Sequence, residues 1–417
     1  HPRKAGMTIK LLNASPASSA VAERSYRIDT LPPPELIRDA IVLPGDRTLV
    51  SGTERYTGGV HRADGAVVAA SLLRRADGWS MIPRAPAELR RQPAEVETRE
   101  AVYAGILIHH YGHFTLESTA RLWWVVEQGF AGPIVFQATY PDLMRNSYMT
   151  DFFDLLGIRD RIVFVDRPLR FARLIVPPAA LEIRGHIHRS FLAPFRAITA
   201  RLAVTAGSAG RHRPRRLYLS RTQLKSGISI GEDAIEQRFR AEGYHVLHPE
   251  TVPLAEQIVL LNGADRIAGL TGSALHNLLY CGPKQVCYIN RTQVLNANYP
   301  MLDQAPRDVI YDEGAGMAPG GLLLAQMLAA ELSLEAGAKV LDLGCGRGQS
   351  SVFLATRYQA QVTSLDLWIS ADERNQRAVE AGVGPRVTAL QGDVRRGLPI
   401  ATGSQVRGSV LRLLQPA

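Results

Sequence analysis

Two rhythms of apolar and polar residues alternate along most of the chain, and they become clear near residue 101. GILIH (105–109) is a short continuous apolar run, as expected of a strand buried on both faces. HFTLESTARLWWVVEQ (113–128) carries apolar residues at helical spacing, and PIVFQ (133–137) is a second apolar run. DLMRNSYMTDFFDLLG (142–157) is again helical in period, RIVFV (161–165) reads as a third strand, and LIVPP (174–178) closes this half. The Gly/Ser/Arg/Pro stretch TAGSAGRHRPRR (205–216) is the expected joint. Beyond it RLYLS, EDAIEQRFRAEG, YHVL, PLAEQIVLLNG, RIAG, SALHNLLY and QVCYIN read in turn as strand and helix. Strands separated by helices of about 10–15 residues predict parallel sheets with both faces covered. The fold class is therefore α/β. Two Rossmann-like lobes are expected at about 31–204 and 211–305, with residues 1–30 as a polar Ala/Ser-rich tail and 306–417 as a further region. Residues 31–100 mix Pro clusters such as LPPPEL with short apolar stretches and show no clear period.

Composition narrows the classes. Hydrophobic residues at 46% and charged residues at 21% are ordinary for a globular protein. No apolar run reaches the roughly 18–20 residues of a membrane span. Cys281, Cys287 and Cys345 have no metal-type or redox-type spacing, and their low odd number favours a reducing, cytoplasmic setting. The net charge of +9 is uneven: Arg184 to Lys225 holds ten Lys/Arg residues and no Asp or Glu. That block is either a solvated basic face or a seat for an anionic partner, such as a nucleotide, a lipid diphosphate or the inner-membrane surface. It lacks interleaved aromatic residues, so nucleic acid is not expected as a partner.

Two stretches carry candidate chemistry. In HHYGHFTLESTARLWW (109–124), His113, Glu117 and Arg121 recur every four residues just after a predicted strand. His113 or Glu117 could take a proton from an attacking hydroxyl. Equally, Glu117 and Arg121 could form a plain ion pair along the helix, with His113 bonded to backbone near the helix start. A metal site from His109, His110, His113 and Glu117 matches no specific ligand spacing, so no metal is expected. In the second half, YLSRTQ (218–223) and GLTGSALHN (269–277) each follow an apolar strand. Gly272 and Ser273 open a helix there, whose free N–H groups suit a diphosphate, and Arg221 adds a charged fork.

The order GHFTLES, YLSR, HPE–EQI and GSALHN resembles glycosyltransferase family 61 over roughly residues 100–291. The resemblance implies a GT-B-like pair of Rossmann-like lobes and inverting transfer from a nucleotide-sugar donor to a glycan or lipid-linked acceptor. It also implies a role in bacterial surface polysaccharide assembly. His113 and Glu117 then stand as the catalytic candidates. Arg221, Gly272, Ser273 and Asn277 stand as the donor-nucleotide side, with no cofactor required for glycosyl transfer.

A different signature follows. KVLDLGCGRG (339–348) gives an apolar strand and a turn through Gly344, Gly346 and Gly348 into the helix SSVFLATRY. The next strand ends in Asp366, about 20 residues on, where an acid can hold ribose hydroxyls, and RVTALQGDV ends in Asp393. The series resembles class I S-adenosylmethionine-dependent methyltransferases, which implies a cofactor site at Asp342, Gly344, Gly346, Asp366 and Asp393. The closing ATGSQVRGSVLRLLQPA shows no strand pattern. The expectation is therefore an incomplete half-domain of three strands, its first strand an open apolar edge, with a vestigial adenosylmethionine site and no methyl transfer.

Overall fold

The computed structural model describes residues 9–12, 16–50, 53–83, 95–138, 147–205, 214–225, 229, 231–282, 284–291, 294–303, 309–312, 325, 329, 334–343, 345–367, 369–393 and 411–412. It is a mixed α/β structure with several sheets. In the first large sheet the apolar run predicted at 105–109 becomes Ala101–Leu107, every residue of which is buried. Ile134–Ala138 and then Ile162–Val165 lie to one side of it, all parallel. Leu169–Val176 lies on the other side, and Glu35–Val42 continues the sheet antiparallel to it. The segment without a clear period thus supplies sheet strands.

The second large sheet is wholly parallel. Its order is Ile9–Leu12, Val309–Asp312, Gln285–Ile289, Arg266–Leu270, Arg216–Leu219 and His245–Leu247. Two sequence expectations are corrected here. Residues 1–30 are not simply a tail, because Ile9–Leu12 is an edge strand and helix Pro16–Glu23 places Ala22 in this sheet's core. Ser18 Oγ accepts the Leu295 N–H at 2.9 Å, and Tyr26 is buried in a core cluster with Val102 and Phe114. The boundary set at 305 also moves, since Val309–Asp312 pairs with both Gln285–Ile289 and Ile9–Leu12. Small residues hid the helix: an Ala/Ser-rich turn buries little area, so its apolar face is weak in sequence.

The two halves share one core. Phe114, Phe152, Phe153 and Phe195 from the first half pack in a single cluster with Leu254, Ile258, Leu279 and Tyr280 from the second. The rings of Phe195 and Tyr280 meet edge-on at 5.1 Å, and Thr199 Oγ1 donates to the Tyr280 carbonyl at 2.8 Å. Burial of that kind is worth about 1.5–3 kcal/mol per large side chain, which fixes the halves against each other. The predicted joint falls partly outside the described residues (206–213), as does 142–146 of the predicted helix, whose described part is Ser147–Leu156. Among the described residues no helix is long and apolar enough to cross a membrane.

The C-terminal sheet is parallel, in the order Val387–Gln391, Gln361–Asp366, Lys339–Leu343, Leu411–Arg412. This corrects the open edge expected of Lys339–Leu343. Leu411 and Arg412 pair with Asp342 and Leu343 on its far side, so the strand has a neighbour on each flank. Two residues give too short a strand to register as a period.

Candidate active site

The predicted helix 113–128 is interrupted. Tyr111–His113 is α-helical, Phe114–Ser118 is a π-helical turn, and α-helix resumes at Leu122–Glu127. Hydroxyls stabilise the wide turn: Thr115 Oγ1 donates to the Tyr111 carbonyl at 2.8 Å and Thr119 Oγ1 to Thr115 at 2.7 Å. Ser118 Oγ donates to the Ile106 carbonyl at 2.8 Å and accepts the Ile108 N–H at 3.1 Å, which pins the turn to the end of Ala101–Leu107. Such single π turns frequently sit at functional sites.

The turn aims His113 and Glu117 at each other. Glu117 Oε2 lies 2.6 Å from His113 Nδ1, with the Glu117 side chain 1% exposed and that of His113 36% exposed. A carboxylate only accepts, so Nδ1 carries the hydrogen and Nε2 is left as the basic nitrogen. The ion pair considered between Glu117 and Arg121 is not formed. Arg121 is buried and donates to the carbonyls of Pro177 at 3.1 Å and Ala70 at 2.6 Å. Arg75 takes Glu117 instead, in a fork of Nε–Oε1 at 2.6 Å and Nη2–Oε2 at 2.9 Å. Arg75 itself lies 4.1 Å above the Trp79 ring. Burial pushes the Glu117 carboxyl up, but the hydrogen bonds from His113 and Arg75 outweigh it and hold the carboxyl below its usual value. Arg75 and Trp79 come from the segment without period, and nothing in the sequence marked them.

The second half presents its own groups at the same place. Gly112 lies close against them: a Cβ there would stand 2.9 Å from Ser273 Cβ and 3.1 Å from His276 Cε1. Tyr111 Oη donates to Asn277 Oδ1, and Asn277 Nδ2 donates to Gln257 Oε1 at 2.8 Å. Asn277 is 1% exposed, which corrects its assignment to the diphosphate side: its amide is engaged in joining the halves. Burial drives His276 down to about 3, with the charges of His113 and His110 adding to the shift, so it is neutral. Burial also lowers His110, followed by the charges of His113, His109 and Arg221. Arg221 reaches the start of Ser273–Tyr280, a 3-10 helix, and donates through Nη1 to the Thr271 carbonyl at 3.2 Å. A Cβ on Gly272 would lie 2.5 Å from that Nη1, so glycine lets the guanidinium lie over the helix start. Thus His113, Glu117, Arg221, Gly272 and Ser273 converge. Gly112→Ala should lower stability by about 1–3 kcal/mol, the usual cost of overpacking. A melting temperature equal to wild type would show that the halves part easily here.

In the C-terminal sheet, Gly346 (φ +53°) and Gly348 (φ +79°) adopt the left-handed conformation, and among the described residues nothing lies within 4 Å of a Cβ built on Gly346. Asp366 Oδ2 accepts the Gly346 N–H at 2.8 Å, and Oδ1 accepts that of Ile369 at 3.0 Å. Asp342 is buried, with Oδ2 accepting from Ser350 Oγ and Ser351 Oγ at 2.7 and 2.6 Å and Oδ1 buried without a partner. Burial raises its carboxyl above the usual range, the serine bonds opposing. Asp393 follows Gly392, whose N–H bonds to the Asp366 carbonyl at 3.1 Å. Gly344 lies outside the described residues. The left-handed turn at Gly346, with the strand-end carboxylate of Asp366 bonded to its N–H, fits a cofactor bearing ribose hydroxyls.

Residues 111–289 match the family model Glycosyltransferase 61, and residues 340–407 match a methyltransferase domain. The chain thus has a segment that matches glycosyltransferase 61 followed by one that matches a methyltransferase domain. The expected absence of methyl transfer is not supported by this match. The 27-O-demethylrifamycin SV methyltransferase of Amycolatopsis mediterranei (strain S699) is 38% identical over 77 residues, which are 18% of this chain and 28% of that protein. A SAM-dependent methyltransferase from Geobacter sulfurreducens, solved in complex with S-adenosyl-L-homocysteine, is 36% identical. The match covers 18% of this chain and 30% of that one, with a TM-score of 0.16. A putative aspartate carbamoyltransferase from Trypanosoma cruzi is 14% identical, covering 49% of this chain and 69% of that one, with a TM-score of 0.24.

Proposed function

We propose that residues 9–312 catalyse inverting transfer of a sugar from a nucleotide-sugar donor to a hydroxyl of a glycan or lipid-linked acceptor, in a GT-B-like arrangement of two lobes. The observation that carries this reading is the His113–Glu117–Arg75 chain facing Arg221 and the Gly272–Ser273 helix start across the Gly112 contact. His113 Nε2 removes the acceptor proton as the acceptor oxygen bonds to the anomeric carbon, and the nucleoside diphosphate leaves toward Arg221. Glu117 holds the imidazole tautomer and steadies the imidazolium, in the role a buried carboxylate plays beside a catalytic histidine. It is a weaker choice for the base itself, since its carboxyl is engaged by two donors and held below its usual value. Surface polysaccharide assembly at the cytoplasmic side of a membrane, with the basic 184–225 segment against the lipid, is the setting that the family resemblance favours. Calorimetric titration with UDP, GDP and CDP tests the donor half: one should bind, and Arg221→Ala should abolish or greatly weaken it. No binding of any of the three would count against the reading.

A second reading concerns the C-terminal segment, where the left-handed Gly346 turn and Asp366 favour adenosylmethionine. Asp366 would take the ribose hydroxyls, and the cofactor would supply the methyl group. Asp366→Ala should weaken adenosylmethionine binding by the loss of charged hydrogen bonds, about 1.5–3 kcal/mol or roughly ten- to a hundredfold. Equal affinity in the folded variant would remove Asp366 from the site.

A further inference from the structure

We infer that Arg291 is a second diphosphate-holding residue, forming with Arg221 a clamp of two guanidiniums across the start of Ser273–Tyr280; this rests on the donor reading above. Three adjacent parallel strands end side by side there: Arg216–Leu219, Arg266–Leu270 and Gln285–Ile289. The residues just beyond each strand bring Arg221, Thr271 with Gly272, and Arg291 to one spot. Both side chains donate to the same acceptor, the Thr271 carbonyl: Arg221 through Nη1 at 3.2 Å and Arg291 through Nε. The Arg291 N–H also reaches Thr271 Oγ1 at 3.2 Å, which fixes the base of its side chain.

Two cations sharing one neutral oxygen repel each other. Burial lowers Arg291 from its usual range, and the Arg221 charge lowers it further. The carboxylate beside them is Glu232, 1% exposed, whose Oε1 accepts the Arg221 N–H at 2.8 Å. Its Oε2 is buried without a hydrogen-bond partner. Two guanidiniums drawn to one carbonyl at a helix start form a spot whose chemistry suits a dianion held between the forks. A purely structural arginine looks different in this protein: Arg121 is 2% exposed and wrapped by backbone carbonyls, whereas Arg291 is covered where it bonds Thr271 but keeps part of its side chain at the surface. Planar forks match phosphate oxygens in pairs, and two of them suit a diphosphate better than a single phosphate.

The test uses the full chain, with inorganic pyrophosphate and inorganic phosphate as probes at constant ionic strength, titrated calorimetrically. Wild type should bind pyrophosphate more tightly than phosphate. Arg291→Ala should weaken pyrophosphate about ten- to a hundredfold, as expected for loss of a charge-assisted hydrogen bond. Arg291→Lys, which keeps the charge without the fork and guards against a folding defect in the alanine variant, should recover only part of that loss. Wild-type pyrophosphate affinity in Arg291→Ala, with loss in Arg221→Ala, would overturn the clamp and leave the donor reading standing. Failure of the wild type to bind pyrophosphate, UDP, GDP or CDP would overturn both.

Discussion

Replacing His113 by alanine is expected to lower kcat for sugar transfer about 10²–10⁴-fold, the usual contribution of a positioned acid–base group. Binding of the nucleotide donor should stay within about twofold, because a base acts on the reacting proton and not on the ground-state diphosphate. The imidazole is suited to this by its neighbours: Glu117 sits 2.6 Å from Nδ1, and the π turn holds both side chains in place. Glu117→Gln should also reduce kcat, since an amide can present its N–H to Nδ1 and favour the wrong tautomer. Near-wild-type kcat in folded His113→Ala would place the base elsewhere and make this turn structural.

Arg75→Ala should be the most destabilising single change in the site. The Arg75 and Glu117 side chains are 17% and 1% exposed, so the variant leaves a buried carboxylate without its main counter-charge. Breaking such a pair from one side typically costs about 3–5 kcal/mol. Glu117 has a folded-state pKa below its usual 4.5, so its contribution to stability is present above that value and is lost as pH falls through the folded one. The gap between wild type and Arg75→Ala should therefore be widest near neutrality and narrow in acid. The pair replacement Arg75→Met with Glu117→Gln should regain much of the stability without regaining turnover. Denaturant melts across pH check both points. An Arg75→Ala deficit independent of pH would show that lost packing on Trp79, rather than the charge, sets the cost.

The strands and helices from residue 101 to 290 were legible because a parallel sheet buries both faces, leaving apolar runs such as those at Ala101–Leu107 and Arg266–Leu270 that periodicity detects. The strand-end rule found Arg221 and could equally have found Arg291, which stands two residues past Gln285–Ile289. Other features left no trace in the pattern. The π turn depends on hydroxyl-to-carbonyl bonds of Thr115 and Thr119, whose spacing looks α-helical in sequence. Arg75 meets Glu117 across 42 positions, a partnership made by tertiary packing alone. Asn277 looked like a ligand-facing amide beside Gly272 and Ser273, yet the 3-10 winding turns it inward to Tyr111 and Gln257. The N-terminal strand Ile9–Leu12 completes a sheet whose neighbour is Val309–Asp312, and no local signal joins segments that far apart.

The most direct measurement is product analysis by phosphorus and proton NMR of the full chain incubated with a panel of UDP-, GDP- and CDP-sugars and glycan or lipid-linked acceptors. Consumption of one donor, release of its nucleoside diphosphate and a glycosidic product of inverted anomeric configuration are expected, with all three lost in His113→Ala. A nucleotide-sugar donor that binds and turns over equally well in wild type and His113→Ala, or a product of retained configuration, would contradict the assignment of this site.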